Sequence, residues 1–212
     1  MGSRARAIPT DGQMCGLFAV DIAGFTAPER DEEIQRRIHK EMYDMLKDAF
    51  NGSGVRWKHC TREDRGDGAL IVIPPRISAA ALVGPIPERL REEIRRYNGV
   101  VREPARIQMR AAAHIGPVHH DGNGFIGYDL NLLFRMLQAR PFKYALAASG
   151  ADLALITSQY VYETVIVRRP SLTHPAAFQP LNVLVKRDPR PRLDARARTP
   201  APAIRGQPPG FS

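Results

Sequence analysis

The order of elements in this sequence predicts an α+β sandwich of the ferredoxin-like, split βαβ kind, and three observations carry that expectation. A short apolar run, Cys15 to Ile22 (CGLFAVDI), reads as a buried strand. Behind it lies a long segment whose apolar residues recur every three or four positions, the pattern of an amphipathic helix with one core face. Two more apolar runs then flank a Gly-Asp-Gly turn, which reads as a hairpin. A second helix and a further strand complete the order β-α-β-β-α-β, expected to set helices on one face of a mainly antiparallel sheet.

The first strand carries one charge, Asp21, at its C-terminal end, where a bare buried carboxylate would be too costly and a partner or cation is expected. From Glu29 to Phe50 the residues Ile34, Ile38, Met42, Met45, Leu46, Ala49 and Phe50 form the helix's apolar stripe. Thr26 and Glu29 have capping-box spacing, and Asp31 offers an alternative start. Either way a helix N-terminus follows Asp21 closely and can offer backbone N–H groups to an anion. Val55 to Pro75 gives the hairpin, with its tip at Gly66, Asp67 and Gly68. Ile86, Leu90, Ile94 and Tyr97, closed by Asn98 and Gly99, make the second helix. Ile107 to Ile115 and the stretch after it read as two strands turning at Gly122 to Gly124, followed by a helix from Tyr128 to about Ala139. Ala145 to Lys186 ends in a strand, FQPLNVLVK.

Composition narrows the function. The 212 residues carry 31 Lys and Arg against 22 Asp and Glu, a net charge of +9 that favours an anionic partner. With 43% hydrophobic and 25% charged residues the chain is an ordinary globular one, and its two cysteines support neither a disulfide framework nor a zinc cluster. Neither a signal peptide nor a membrane span is evident, so a cytoplasmic protein is expected. The segment 187–212 holds six Arg and six Pro against two Asp, and is read as a disordered tail: a solvated terminus, or else a tether to nucleic acid or membrane. The expected organisation is a flexible arm over 1–14, one catalytic domain over 15–186, and that tail.

In a ferredoxin-like sheet the first and third strands pair, so Asp21 and Asp67 reach the same end. Two carboxylates so placed repel unless divalent cations lie between them, and oxygen-only ligation favours Mg²⁺ or Mn²⁺. Taken alone, Asp67 also suits a simple Gly-Asp-Gly turn. Four segments in order point further: VDIAGFT (20–26), RGDG (65–68), MRAAAHIGPV (109–118) and GYDLNLLFRM (127–136). Together they resemble the catalytic domain of class III nucleotidyl (adenylate and guanylate) cyclases, from about residue 15 to residue 139 and more faintly to Lys186.

That resemblance implies that Asp21, Asp67 and the backbone carbonyl of Ile22 hold two divalent ions, Mn²⁺ or Mg²⁺. It implies that amides around Phe25 and Thr26 cradle the β- and γ-phosphates, with Arg110 also facing phosphate and Lys186 binding triphosphate. Asn131 and Arg135, four apart on a helix, would orient the ribose and stabilise charge on the α-phosphate. The metal and Asn/Arg halves act from opposite subunits in the family, which implies a head-to-tail homodimer.

Base choice in the family rests on two positions, here Glu63 and Gly124. They complete neither the adenylate nor the guanylate pattern. The departure resembles the short stand-alone pyrimidine cyclases of bacterial antiphage (Pycsar) signalling, which implies a cyclic nucleotide messenger and an effector to read it. Glu63 pairs naturally with the N3–H of uracil, favouring UTP and cyclic UMP. Trp57, His59 or Tyr128 would fill the space that a smaller base vacates, and Arg62, Arg65 or Lys58 would supply donors. Alternatives are a guanylate or adenylate cyclase in ordinary signalling, a catalytically silent nucleotide-binding regulator, and an RNA-binding module in which GNGFIGY (122–128) supplies an aromatic strand.

Overall fold

The computed structural model describes residues 9–184 and 192–199. Its first half runs β1 (Gln13–Ile22), α1 (Glu32–Gly52), β2 (Thr61–Asp64), β3 (Gly68–Ile73), α2 (Pro85–Val100) and β4 (Met109–His120). Here β1 is central, antiparallel to β3 on one side and to β4 on the other. Phe18, Val20 and Ile22 point into one apolar layer, while Leu17 and Ala19 point into another. Burial on both faces explains why β1 reads as a near-continuous apolar run instead of an alternation.

The second half adds β5 (Phe125–Ile126), α3 (Tyr128–Leu137), α4 (Arg140–Ser149), β6 (Leu153–Ser158), β7 (Gln179–Leu184) and β8 (Arg192–Arg198). Among the described residues the sheet order is β2-β3-β1-β4-β6-β8-β7, with β5 against the end of β4. Only the β4–β6 pair is parallel there, because helices α3 and α4 carry the chain back between those strands.

Helices cover both faces of the sheet, which corrects the one-faced sandwich expected. Helices α1 and α2 lie over Phe18, Val20 and Ile71, whereas α3 and α4 lie over Leu17, Ala19 and Leu70 through Leu133, Met136 and Phe142. The doubly apolar β1 and β3 need that second cover. Helix α1 begins at Glu32, and the Asp31 carboxylate caps it by accepting from the Ile34 N–H at 2.8 Å, so the Thr26 start is set aside. Both cysteines are free and buried, and burial pushes the Cys15 thiol up to about 11, so it stays un-ionised.

The expected disordered tail is also corrected in part. Arg192–Arg198 forms β8, inserted between β6 and β7. Ala195 and Ala197 are buried, the Arg196 guanidinium stacks over Tyr162 at 4.5 Å, and Arg198 pairs with Glu88 at 2.6 Å. The sheet therefore extends past the expected domain end at 186. The rest of the arm over 1–8, Lys186, and the tail outside 192–199 lie beyond the described residues.

One buried polar bridge fastens the two halves. His114 on β4 lies 2.8 Å from Asp129 Oδ1 through Nε2 and 2.7 Å from Ser158 Oγ through Nδ1. A neutral ring satisfies both, donating to the carboxylate and accepting from the hydroxyl. Burial holds the His114 pKa below its ordinary value, against the opposing pull of Asp129. The unfolded chain therefore takes up a proton at a pH where the folded one does not. Stability should fall as pH drops below about 6.5, the ordinary histidine value. Guanidinium denaturation across that range should show the slope, and His114→Gln should flatten it.

Candidate active site

The register of β1 against its neighbours builds the site. Asp21 stands opposite Gly68 on β3 and opposite Arg110 on β4, and the Ile22 N–H donates to the Asp67 carbonyl at 2.8 Å. A Cβ at Gly68 would lie 2.1 Å from the Val20 carbonyl oxygen, so only glycine lets the hairpin close on β1 here. Asp21 and Asp67 consequently line one pocket of about 220 Å³, walled by Arg65, by Phe134 and Leu137 of α3, and by Gln138 at the C-cap of that helix.

Asp21 is almost wholly buried and fully partnered. Arg110 grips it with both arms, Nε to Oδ1 at 2.6 Å and Nη2 to Oδ2 at 2.9 Å, and Gln138 Nε2 donates to Oδ2 at 2.7 Å. Burial pushes its pKa above the ordinary value, Arg110 pulls it back, and the nearby Asp67 charge pushes it up again. Arg110, expected to face phosphate, faces the carboxylate in this structure. No sequence pattern pointed to Gln138, and only the packing of α3 on β1 reveals it. Arg30 is a second residue that sequence reasoning missed. It donates to the carbonyls of Ala23 (3.2 Å), Pro104 (3.1 Å) and Arg106 (2.7 Å), pinning the turn after Asp21 to the segment before β4.

Two repelling carboxylates with oxygen-only donors suit a hard divalent cation. Among the described residues no three or more His, Cys, Asp or Glu side chains are grouped so as to hold a metal ion. Such an ion would therefore draw its other ligands from backbone, water and substrate oxygens, as Mg²⁺ commonly does. Each carboxylate offers about four lone-pair sites, so Asp21 can accept a cation when Arg110 and Gln138 share or release its oxygens. The donor set fits the implied ions.

The remaining expected residues divide into those brought together and those not. In the turn after β1, the amides of Ala23 and Ala27 bond to carbonyls, whereas those of Phe25 and Thr26 make no hydrogen bond among the described residues. Glu63 and Gly124 meet: Glu63 Oε1 accepts the Phe125 N–H at 2.6 Å, and a Cβ on Gly124 would come within 2.9 Å of the same oxygen. Asn131 and Arg135 are exposed on α3 and line no part of the Asp21–Asp67 pocket. Trp57 and Arg62 are set on the wrong face. Trp57 packs edge-on against Phe50, 5.3 Å between centroids, in the α1 layer, with the Arg62 guanidinium 4.5 Å above it. Trp57 thus cannot fill a pocket next to Glu63, which opposes Leu70 of the α3 layer. Tyr128 is exposed at the start of α3. His119 and His120 part company as adjacent strand residues do, the first toward Asp11 and the second accepting from the Gly122 N–H. With β5 only two residues long, GNGFIGY supplies no stacking strand for RNA.

Known protein families and curated proteins offer no match to the sequence. Solved structures do match in fold. An adenylate/guanylate cyclase/hydrolase from Silicibacter pomeroyi superposes with a TM-score of 0.62 at 18% identity, covering 89% of this chain and 97% of that one. The guanylyl cyclase Cya2 gives 0.58 at 16% identity, covering 92% and 98%. The guanylyl cyclase domain of the RhoGC fusion protein from the aquatic fungus Blastocladiella emersonii gives 0.53 at 15%, covering 90% and 97%. The chain therefore has the fold of class III nucleotidyl cyclase domains. No helix among the described residues is long and apolar enough to cross a membrane.

Arg110→Met would leave the buried Asp21 carboxylate without its charged partner, with only Gln138 to donate to it, at a cost of about 3–5 kcal/mol. Denaturation of Arg110→Met, Asp21→Asn and the double variant should show strong coupling, the double costing much less than the sum of the singles.

Proposed function

We propose that this chain is a nucleotidyl cyclase, in which the ribose 3′-oxygen of a nucleoside triphosphate attacks the α-phosphorus and pyrophosphate leaves. The observation that carries the reading is the meeting of Asp21 and Asp67 in one pocket, at the end of β1, an interior strand of a cyclase fold. Asp21, Asp67 and the Ile22 carbonyl are the groups that would hold divalent cations, Mn²⁺ or Mg²⁺. When bound, such ions acidify the 3′-hydroxyl and neutralise the triphosphate.

The chain's own residues do the rest. The unbonded amides of Phe25 and Thr26, in the turn between β1 and α1, receive β- and γ-phosphate oxygens. Arg110 exchanges one anion for another, its planar fork passing from Asp21 to the triphosphate. Lys186 adds a second cation to the triphosphate. Asn131 orients the ribose, and Arg135 stabilises the charge that develops on the α-phosphate. Neither lines the Asp21–Asp67 pocket of its own chain, and a head-to-tail homodimer would deliver them to the partner's pocket.

Glu63 beside a side-chain-free Gly124 matches neither purine pattern and supports a pyrimidine substrate, UTP giving cyclic UMP. The resemblance to the pyrimidine branch carries with it a messenger role in antiphage defence and an effector that binds the product. Guanylate cyclase activity is the second reading, since Glu63 matches the guanylate pattern at one of its two positions. Incubation with Mn²⁺ and ATP, GTP, UTP or CTP separately, resolved against cyclic standards, decides the matter. Cyclic UMP is the expected product, absent from an Asp21→Asn/Asp67→Asn variant. Cyclic GMP would select the second reading, and no product from any substrate would overturn the cyclase assignment.

The dimer has its own test. Asp67→Asn and Arg135→Ala should each lose activity by on the order of 10²- to 10³-fold. Mixed and allowed to exchange subunits, they should recover about a quarter of the wild-type rate, since half of random dimers are mixed and each holds one intact site. Failure to recover would exclude a shared site.

A further inference from the structure

We propose that Arg65, not Glu63, is the residue that reads the substrate's base, donating from its guanidinium to a ring carbonyl, and that Glu63 and Phe134 position it. The inference rests on the cyclase reading above and adds a specificity-determining residue to it. Three observations converge on Arg65. It lines the pocket that holds Asp21 and Asp67, and Glu63 does not. Both Glu63 oxygens are engaged within the chain, Oε1 by the Phe125 N–H and Oε2 by Arg65 itself. The Arg65 guanidinium also lies over the Phe134 ring, 5.1 Å from its centroid.

Together these contacts fix a planar cation at the pocket wall. A guanidinium has five N–H donors in one plane, and the Glu63 bond uses one, leaving donors to meet a ligand. The cation–π contact with Phe134 and the bond to Glu63 hold the guanidinium at the pocket wall, which lowers the entropy lost on binding. The other candidate donors are placed elsewhere: Arg62 lies over Trp57 across the sheet and donates to the Trp57 carbonyl at 2.6 Å, and Lys58 is exposed in the short helical turn Trp57–His59. The exposure of the pair agrees with this division of labour, since the Arg65 side chain is 40% accessible and that of Glu63 is 20%.

The chemistry this selects is a base with an exocyclic oxygen. Uracil, cytosine and guanine each present a ring carbonyl to a donor, and adenine presents none. Oxygen-bearing bases should therefore bind better than adenine, and a well-formed arginine contact is worth roughly a 10- to 100-fold preference.

The test is equilibrium binding of UTP, CTP, GTP, ATP and inorganic tripolyphosphate, measured calorimetrically with Ca²⁺ in place of a catalytic ion. Wild type should prefer at least one oxygen-bearing nucleotide over ATP by that factor. Arg65→Leu should bring the ratio close to one while leaving tripolyphosphate affinity unchanged. Arg65→Lys, which keeps the charge and loses the planar fork, should lose most of the preference too. Glu63→Gln keeps an acceptor for the Phe125 N–H, so its thermal midpoint should hold while its base preference falls. An unchanged preference in Arg65→Leu, equal binding of ATP by wild type, or a parallel loss of tripolyphosphate affinity would each overturn the proposal, the last by making Arg65 a phosphate ligand. Base-selective binding without any cyclic product would leave Arg65 as the reader and sink the cyclase reading alone.

Discussion

The register between β1 and its two neighbours is the constraint on which the rest depends. Side chains alternate along a strand, so a slip of one residue would send Phe18, Val20 and Ile22 into the α3 layer and turn Asp21 from the pocket into the α1 core. Burial of both faces makes such a slip prohibitive. Gly68 adds a steric stop, because its missing side chain is what permits contact with the Val20 carbonyl. The two aspartates are thus set side by side by core packing, against the repulsion between them.

Charge is arranged around that fixed point. A buried carboxylate needs a partner, and Arg110 supplies a two-armed one that is itself only 11% accessible. The pair is a stored electrostatic arrangement: it keeps Asp21 tolerable in the core, and it occupies the oxygens that a cation would use. Glu63 and Arg65 repeat the motif closer to the surface, with the acid turned inward and the base outward. Internal pairs such as Arg198 with Glu88 match one cation to one acid, so they leave the net charge of +9 unchanged and decide only which arginines remain to meet an external anion.

Much of this was legible in the sequence. The apolar run ending in Asp21, the stripe of α1, the Gly-Asp-Gly tip and the Asn131/Arg135 spacing are local signals, and each lies in the element expected. What was not legible depends on tertiary placement: Gln138 reaching Asp21, Arg30 gathering three carbonyls, and Trp57 lying across the sheet from Glu63. Two misses had local signals that were outweighed. Helix α4 is announced by Pro141 in its first turn and by Gly150 in a left-handed cap at φ 60°. In β8 the alternation Leu193-Asp194-Ala195-Arg196-Ala197-Arg198 has the period of a strand, but the surrounding prolines and arginines masked it.

The insertion of β8 between β6 and β7 also bears on how the chain assembles. Among the described residues β7 pairs only with β8, a segment that follows it in sequence. During synthesis β7 leaves the ribosome before the strand it must lean on exists. The β1–β3–β4 nucleus can form early from nearer partners, whereas this edge of the sheet must wait and close in a late step. Until then the outer edge of β6 is bare, an open ladder to which any extended chain could add.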